Sequence, residues 1–162
     1  VEAGGTSKLG MEDSMEKQKK EAADRQLAEF SRLTVARFME KDVQYGHSRT
    51  KADVLASQMI EGFGSVPIVD EQQRLIGIVS EHDLLASLER GHQWSMLTAD
   101  DIMSPNPYSV RPETELGTLI HVLRVSQLIR VPVVDADGKL IGIVARRDIL
   151  RGYLNYGLAP GT

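Results

Sequence analysis

The chain has 162 residues, 41% hydrophobic, 26% charged and 5% aromatic, a globular composition with room for one ordinary domain or two small ones sharing a core. Its formal charge of −4 offers no basic field to a polyanion, and no Lys/Arg stripe interleaved with aromatics appears, so nucleic-acid binding is not expected. Cysteine is absent, which excludes disulfides, thiolate metal sites and a cysteine nucleophile, and no apolar run approaches the roughly 20 residues of a membrane helix.

The opening VEAGGTS is Gly-rich and featureless, so residues 1–10 are expected to be disordered or an expression-derived addition. No signal peptide is visible, and a cytoplasmic location is expected. Residues 11–30 form a charged helix with Asp13/Lys17, Glu16/Lys20, Lys17/Glu21, Lys20/Asp24 and Glu21/Arg25 at i,i+4 spacing. Its apolar face is sparse (Met11, Met15, Ala22, Leu27, Phe30), which fits either a helix lying over a module or partner, or a solvated spacer.

An extended segment at Val43-Gln44-Tyr45 precedes a helix over about 51–61. The β-branched run from Val66 to Val69, the turn residues Asp70-Glu71-Gln72-Gln73 and the run Leu75-Ile76-Gly77-Ile78-Val79 then read as a β-hairpin. A helix with Leu84, Leu85 and Leu88 follows, and 89–97 is a short connector carrying Gly91, His92 and Trp94.

The same order then recurs. Pro107-Tyr108-Ser109-Val110 is extended, and 113–125 is a helix with Leu116, Leu119, Ile120 and Leu123. Val131-Pro132-Val133-Val134, Asp135-Ala136-Asp137-Gly138 and Leu140-Ile141-Gly142-Ile143-Val144 make a second hairpin, followed by a helix with Ile149, Leu150, Tyr153 and Leu154. The hairpins match at an offset of 65 residues, while Phe38-Met39 matches Ile102-Met103 at 64. Two repeats, about 34–88 and 98–154, are copies of one β-α-β-β-α design. A unit this small buries too little apolar surface alone, so the two are expected to pack together.

An apolar-Pro-apolar-apolar-Asp strand, a turn, Leu-Ile-Gly-Ile-Val and an Asp at a helix start, present twice, resemble the cystathionine-β-synthase (CBS) domain family. The resemblance implies an α/β (α+β) fold, a tandem pair or Bateman module whose sheets pack about a pseudo-twofold axis, with the N-terminal helix appended. It also implies two clefts for AMP, ADP or ATP, less readily S-adenosylmethionine, with magnesium entering on the phosphates if at all. A homodimer, a separate regulated protein, no catalytic cofactor and no enzymatic activity go with it.

The family's Gly-x-x-Ser/Thr-x-x-Asp ligand motif is intact in Gly77 to Asp83, whereas in Gly142 to Asp148 Ala145 replaces the hydroxyl residue. By resemblance, the first site comprises Asp83 for ribose, Ser80 for phosphate, and Val43, Tyr45 and Pro67 as walls. The second comprises Asp148, with Arg146, Arg147 and Arg130 for phosphate charge, and Ser109 and Pro132 as walls. Bland readings stand beside these. Ser80-x-x-Asp83 is also a capping box, Asp148 also complements a helix dipole, and arginines are commonly solvated or salt-bridged. Pro67 and Pro132 read as architectural, opening edge strands. A ligand-free dimerisation or scaffolding module is the alternative function. His47, His82, His92 and His121 have no metal-ligand spacing, so no metal site is expected.

Overall fold

A computed structural model of the chain describes residues 5–62, 64–126 and 128–157. The two predicted hairpins are present: β2 (Ser65–Val69) pairs antiparallel with β3 (Leu75–Ser80), and β5 (Arg130–Val134) with β6 (Leu140–Ala145). Their turns follow the sequence chemistry. Asp70 accepts the N–H groups of Gln72 and Arg74, and Asp135 those of Asp137 and Lys139, all at 2.9–3.0 Å. The left-handed position of each turn falls on matched residues, Gln73 (φ 65°) and Gly138 (φ 81°).

Around the first hairpin lie β1 (Gly46–His47), α2 (Ala52–Glu61) and α3 (Glu81–Glu89), and around the second lie α5 (Leu116–Ser126) and α6 (Arg146–Tyr156). The predicted extended segments are therefore shorter and later than expected. Only Gly46 and His47 pair with β2, in parallel, and in the second copy only Val110 bridges to Val133. Gly46 marks the point because a Cβ there would stand 2.9 Å from Leu55 and 3.2 Å from Ile68. Pro67 and Pro132 are buried inside β2 and β5, a correction to the expectation that they open edge strands. For Pro132 the reason it is tolerated is directional. The Pro132 carbonyl accepts from Val110 N–H at 3.0 Å and Val134 N–H donates to Val110, so the Pro132 nitrogen faces the stretch before Val110, which forms no ladder.

The segments leading into each repeat cross to the other one. Residues Ser104–Pro105 form β4, which pairs antiparallel with β3 of the first repeat, and Glu40 exchanges two backbone hydrogen bonds (2.8 and 2.9 Å) with Ile143 of the second. The exchange is reciprocal residue by residue at an offset of 64. Ala52 N–H donates to Leu97 and Ala99 N–H to Thr50, while Leu116 N–H donates to Leu33 and Val35 N–H to Thr114. Each apolar core accordingly holds a visitor. Val35 is buried with Leu116, Leu119, Val131 and Val144, and its counterpart Ala99 (from α4, Ala99–Ile102) with Leu55, Met59, Val66 and Val79. Arg74 and Lys139, matched at offset 65, bridge to one another, so the pseudo-twofold axis passes between the hairpin turns. Two repeats contiguous in sequence are thus interleaved in space, which shares the core that neither can build alone.

The connector is braced rather than flexible. Trp94, in a short 3₁₀ turn (Trp94–Met96), donates its indole N–H to the buried Ser87 hydroxyl at 2.9 Å. The N-terminal helix α1 spans Gly5–Ser31, starting earlier than the expected 11; residues 1–4, which complete the opening segment, lie outside the described residues. Residues 7–25 are exposed along its whole circumference, and only the last turn docks, through Phe30. The ion pairs among the described residues, Arg74–Asp70 and Arg151–Asp148, lie off α1.

Candidate ligand-binding clefts

The crossed lead segments create two clefts that are counterparts under the pseudo-twofold. One, of about 520 Å³, lies between α3 and α4 and is lined by Asp83, Ser87, Arg90, Leu97, Asp101 and Ile102, with His82, Ala86, His92 and Met103 completing its wall. The other, of about 420 Å³, lies between α6 and the lead of the first repeat and is lined by Asp148, Arg151, Gly152, Asn155, Leu33, Arg37, Phe38 and Tyr156. Leu33, Arg37 and Phe38 correspond to Leu97, Asp101 and Ile102 at offset 64, and Asp148, Arg151, Gly152 and Asn155 to Asp83, Ala86, Ser87 and Arg90 at 65.

Both candidate ribose carboxylates sit at the third position of a helix, and each uses one oxygen to cap it. Oδ2 of Asp83 accepts the Ser80 backbone N–H at 2.8 Å and the Ser80 hydroxyl at 3.0 Å, while Ser80 Oγ accepts from Asp83 N–H at 3.3 Å. Oδ2 of Asp148 accepts Ala145 N–H at 2.8 Å, the part of the box that alanine can still supply. Oδ1 of Asp83 takes no hydrogen bond from a described residue, and Oδ1 of Asp148 has only Arg151 Nη1 at 4.0 Å. Capping therefore occupies one oxygen of each half-buried side chain and leaves the other without a hydrogen bond among the described residues.

The remaining predicted site residues divide. Ser80 touches Asp83, but Val43, Tyr45 and Pro67 are not in the lining of its cleft; the wall comes from α4 of the other repeat because of the crossover. Tyr45 is exposed and packs edge-on to His47, with ring centroids 5.7 Å apart. Ser109 and Pro132 likewise do not line the Asp148 cleft. Arg146 turns away from it: its guanidinium donates to the Leu123 carbonyl at 3.1 Å and its Nε to Leu128, closing the C-terminal end of α5. Arg147 is exposed. Arg130 is half-buried, and its basicity is lowered by burial and by Arg147, against the opposing pull of Asp148, Glu40 and Glu81. It therefore stands in electrostatic reach of groups from both repeats.

Sequence reasoning missed Arg37, Asp101 and Arg151. Their signal was present in the alignment of the repeats, where Arg37 faces Asp101 and Arg151 faces Ala86 at matched positions. The Asp101 carboxyl is held below its ordinary value chiefly by the Thr98 backbone N–H, then by the Thr98 hydroxyl. It is thus a negative charge across neutral pH. Among the described residues no group of three or more His, Asp or Glu is placed to hold a metal ion, and no helix is long and apolar enough to cross a membrane.

The CBS-domain family model matches twice, at residues 35–90 and 99–155. The chain belongs to the CBS-domain family. As a tandem CBS pair it is similar to protein MK0525 of Methanopyrus kandleri, 36% identical over 121 residues, covering 74% of this chain and 62% of that one. It is similar in structure to the CBS-pair protein CBSX2 of Arabidopsis thaliana in complex with AMP (TM-score 0.69, 32% identity, 77% of this chain and 98% of that one). It is also similar to the CBS domain pair of protein MJ0100 in complex with 5′-methylthioadenosine and S-adenosyl-L-methionine (TM-score 0.67, 26% identity, 74% and 98%). The CBS pair spans less than two thirds of the length of the curated relatives it matches.

Proposed function

We propose that this CBS pair is a cytoplasmic regulatory module that binds an adenosine-containing ligand, AMP, ADP or ATP ahead of S-adenosylmethionine, and does no chemistry itself. The observation that carries this reading is the open Oδ1 of each N-terminal helix carboxylate, held in place by its own cap inside a cleft built from both repeats. A carboxylate oxygen in that position accepts from ribose hydroxyls, and the positive dipole end of α6 favours an anionic group beside Asp148. The complexes of CBSX2 with AMP and of MJ0100 with 5′-methylthioadenosine and S-adenosyl-L-methionine support the same ligand class. Because each cleft has walls from both repeats, a ligand that fits one disposition of the repeats better than another shifts their balance and signals to a regulated protein. Magnesium, if it takes part, comes with the phosphates.

A ligand-free scaffolding module is the second reading, and the capping bonds of Asp83 and Asp148 favour it, since both stabilise helices without any ligand. A thermal-shift panel of AMP, ADP, ATP and S-adenosylmethionine, with and without magnesium, separates the two. Binding predicts a gain of about 2.7 kcal/mol in stability at a hundred times the dissociation constant. Melting curves that stay superimposed across the whole panel contradict ligand sensing and leave the scaffold.

The module is further proposed to be a homodimer. Val54, Ile60, Leu85 and Leu88 on α2 and α3, and Val125, Leu150 and Leu154 on α5 and α6, are exposed. Ile120, Leu123, Ile149 and Leu150 line an apolar groove of about 370 Å³ on the second face. Two apolar faces related by the internal axis give a second copy self-complementary surfaces. Sedimentation is expected to show a dimer that Leu85→Lys with Leu150→Lys converts to a monomer; a wild-type monomer at all concentrations contradicts this.

A further inference from the structure

Under the pseudo-twofold the two clefts share matched lining positions but differ in the charge placed there. The Asp148 cleft sets Arg37 and Arg151 against one aspartate, whereas the Asp83 cleft sets Asp83 and Asp101 against Arg90. The difference is concentrated at matched positions: Arg37 against Asp101, and Arg151 against Ala86. It extends beyond the linings, because Arg130 corresponds to Ser65 and Arg147 to His82. Of these four arginines only Arg37 and Arg151 line the Asp148 cleft; Arg130 and Arg147 lie outside its lining. Replacement of an arginine by an aspartate or an alanine at a matched position changes what a cleft attracts.

We propose that the clefts sort adenosine ligands by charge, the Asp148 cleft taking a nucleoside 5′-polyphosphate and the Asp83 cleft an adenosine derivative without net negative charge. The proposal rests on the adenosine-binding reading above. Arg151 is free to serve, since its contact with Asp148 at 4.0 Å joins a side chain that is 63% exposed, a pair too long and too solvated to hold the guanidinium. Asp101 is fixed by its bonds to the Thr98 backbone N–H (2.9 Å) and hydroxyl (3.0 Å), so its charge stays in the Asp83 cleft and repels phosphate. Phe38 and Tyr156 add aromatic surface to the cationic cleft, where the other has Ile102 and the imidazoles of His82 and His92.

Calorimetric titration with two probes, ATP and uncharged 5′-methylthioadenosine, tests this on the wild type, on Arg37→Ala/Arg151→Ala, and on Ala86→Arg, with the melting temperature of each confirming its fold. Removing two cations from the Asp148 cleft is expected to weaken ATP about tenfold while 5′-methylthioadenosine changes less than about twofold. Raising the salt from 50 to 300 mM is expected to weaken ATP and leave the uncharged probe. Ala86→Arg should give the Asp83 cleft a measurable second ATP site. ATP affinity indifferent to all three changes, or both probes falling together, overturns the charge sorting while leaving adenosine binding intact. Failure of the wild type to bind either probe overturns both and is distinguishable from that outcome.

Discussion

Replacing Phe30 with alanine is expected to destabilise the protein by about 3–5 kcal/mol, the range for deleting a fully buried aromatic ring. Phe30 ends a helix whose preceding turns are solvated, yet it is only 1% exposed. Its ring meets Phe38 at 5.6 Å, Tyr153 at 5.1 Å and Tyr156 at 5.6 Å between centroids, mostly edge to face, a geometry that adds to the area buried. Those partners come from the lead of the first repeat and from α6, so one side chain ties α1, the crossed segment and the second core together. Gly117 allows the docking, since a Cβ there would stand 3.3 Å from Ser31. Chemical denaturation measures the effect. Met15→Ala, on the exposed part of the same helix, is expected to stay within about 0.5 kcal/mol. Equal effects of the two substitutions would show that α1 is not anchored through its last turn.

Gly142→Val is expected to cost about 1–3 kcal/mol by overpacking the crossover. A Cβ at Gly142 would lie 2.8 Å from the Met39 sulfur and 3.0 Å from the Glu40 carbonyl oxygen, and that carbonyl accepts from Ile143 N–H at 2.9 Å. The mirror arrangement, Met103 and the Ser104 carbonyl over Gly77, shows that a methionine laid on a strand glycine is the standard joint of this module. Met39 can bend away, but the Glu40 backbone cannot without breaking its bonds to Ile143. Combining Gly142→Val with Met39→Ala should therefore recover part of the loss, with a coupling of about 0.5–3 kcal/mol in a double-mutant cycle. Strict additivity would mean that the lead segment of the first repeat does not rest on the second hairpin as described.

The hairpins were legible in the sequence because everything that defines them is local: β-branched runs of strand length, an Asp that accepts two N–H groups of its own turn, and a left-handed position filled by Gly138. The helices after them were legible for the same reason, down to the Asp83 cap. The crossover was not, because Ser104–Pro105 and Glu40 are too short to announce a strand and their partners lie far along the chain. Its trace was the pairing of Phe38-Met39 with Ile102-Met103 at offset 64 while the hairpins match at 65. Without that link the sequence reading set Val43 and Tyr45 beside Asp83, whereas Asp101, Ile102 and Met103 line the cleft there. Asp83 and Asp148, singled out in the sequence, line the two clefts, and each uses only Oδ2 for its cap.

Calorimetric titration of AMP into the wild type and into an Asp83→Ala/Asp148→Ala variant bears most directly on the reading of these clefts as adenosine sites. Saturable binding is expected in the wild type, with loss of about ten- to a hundredfold in affinity in the variant, the worth of a charge-assisted hydrogen bond to ribose. The variant's melting temperature shows separately how much helix capping was lost. Undiminished affinity in a folded variant, or no heat of binding from the wild type, would contradict the assignment of the two carboxylates.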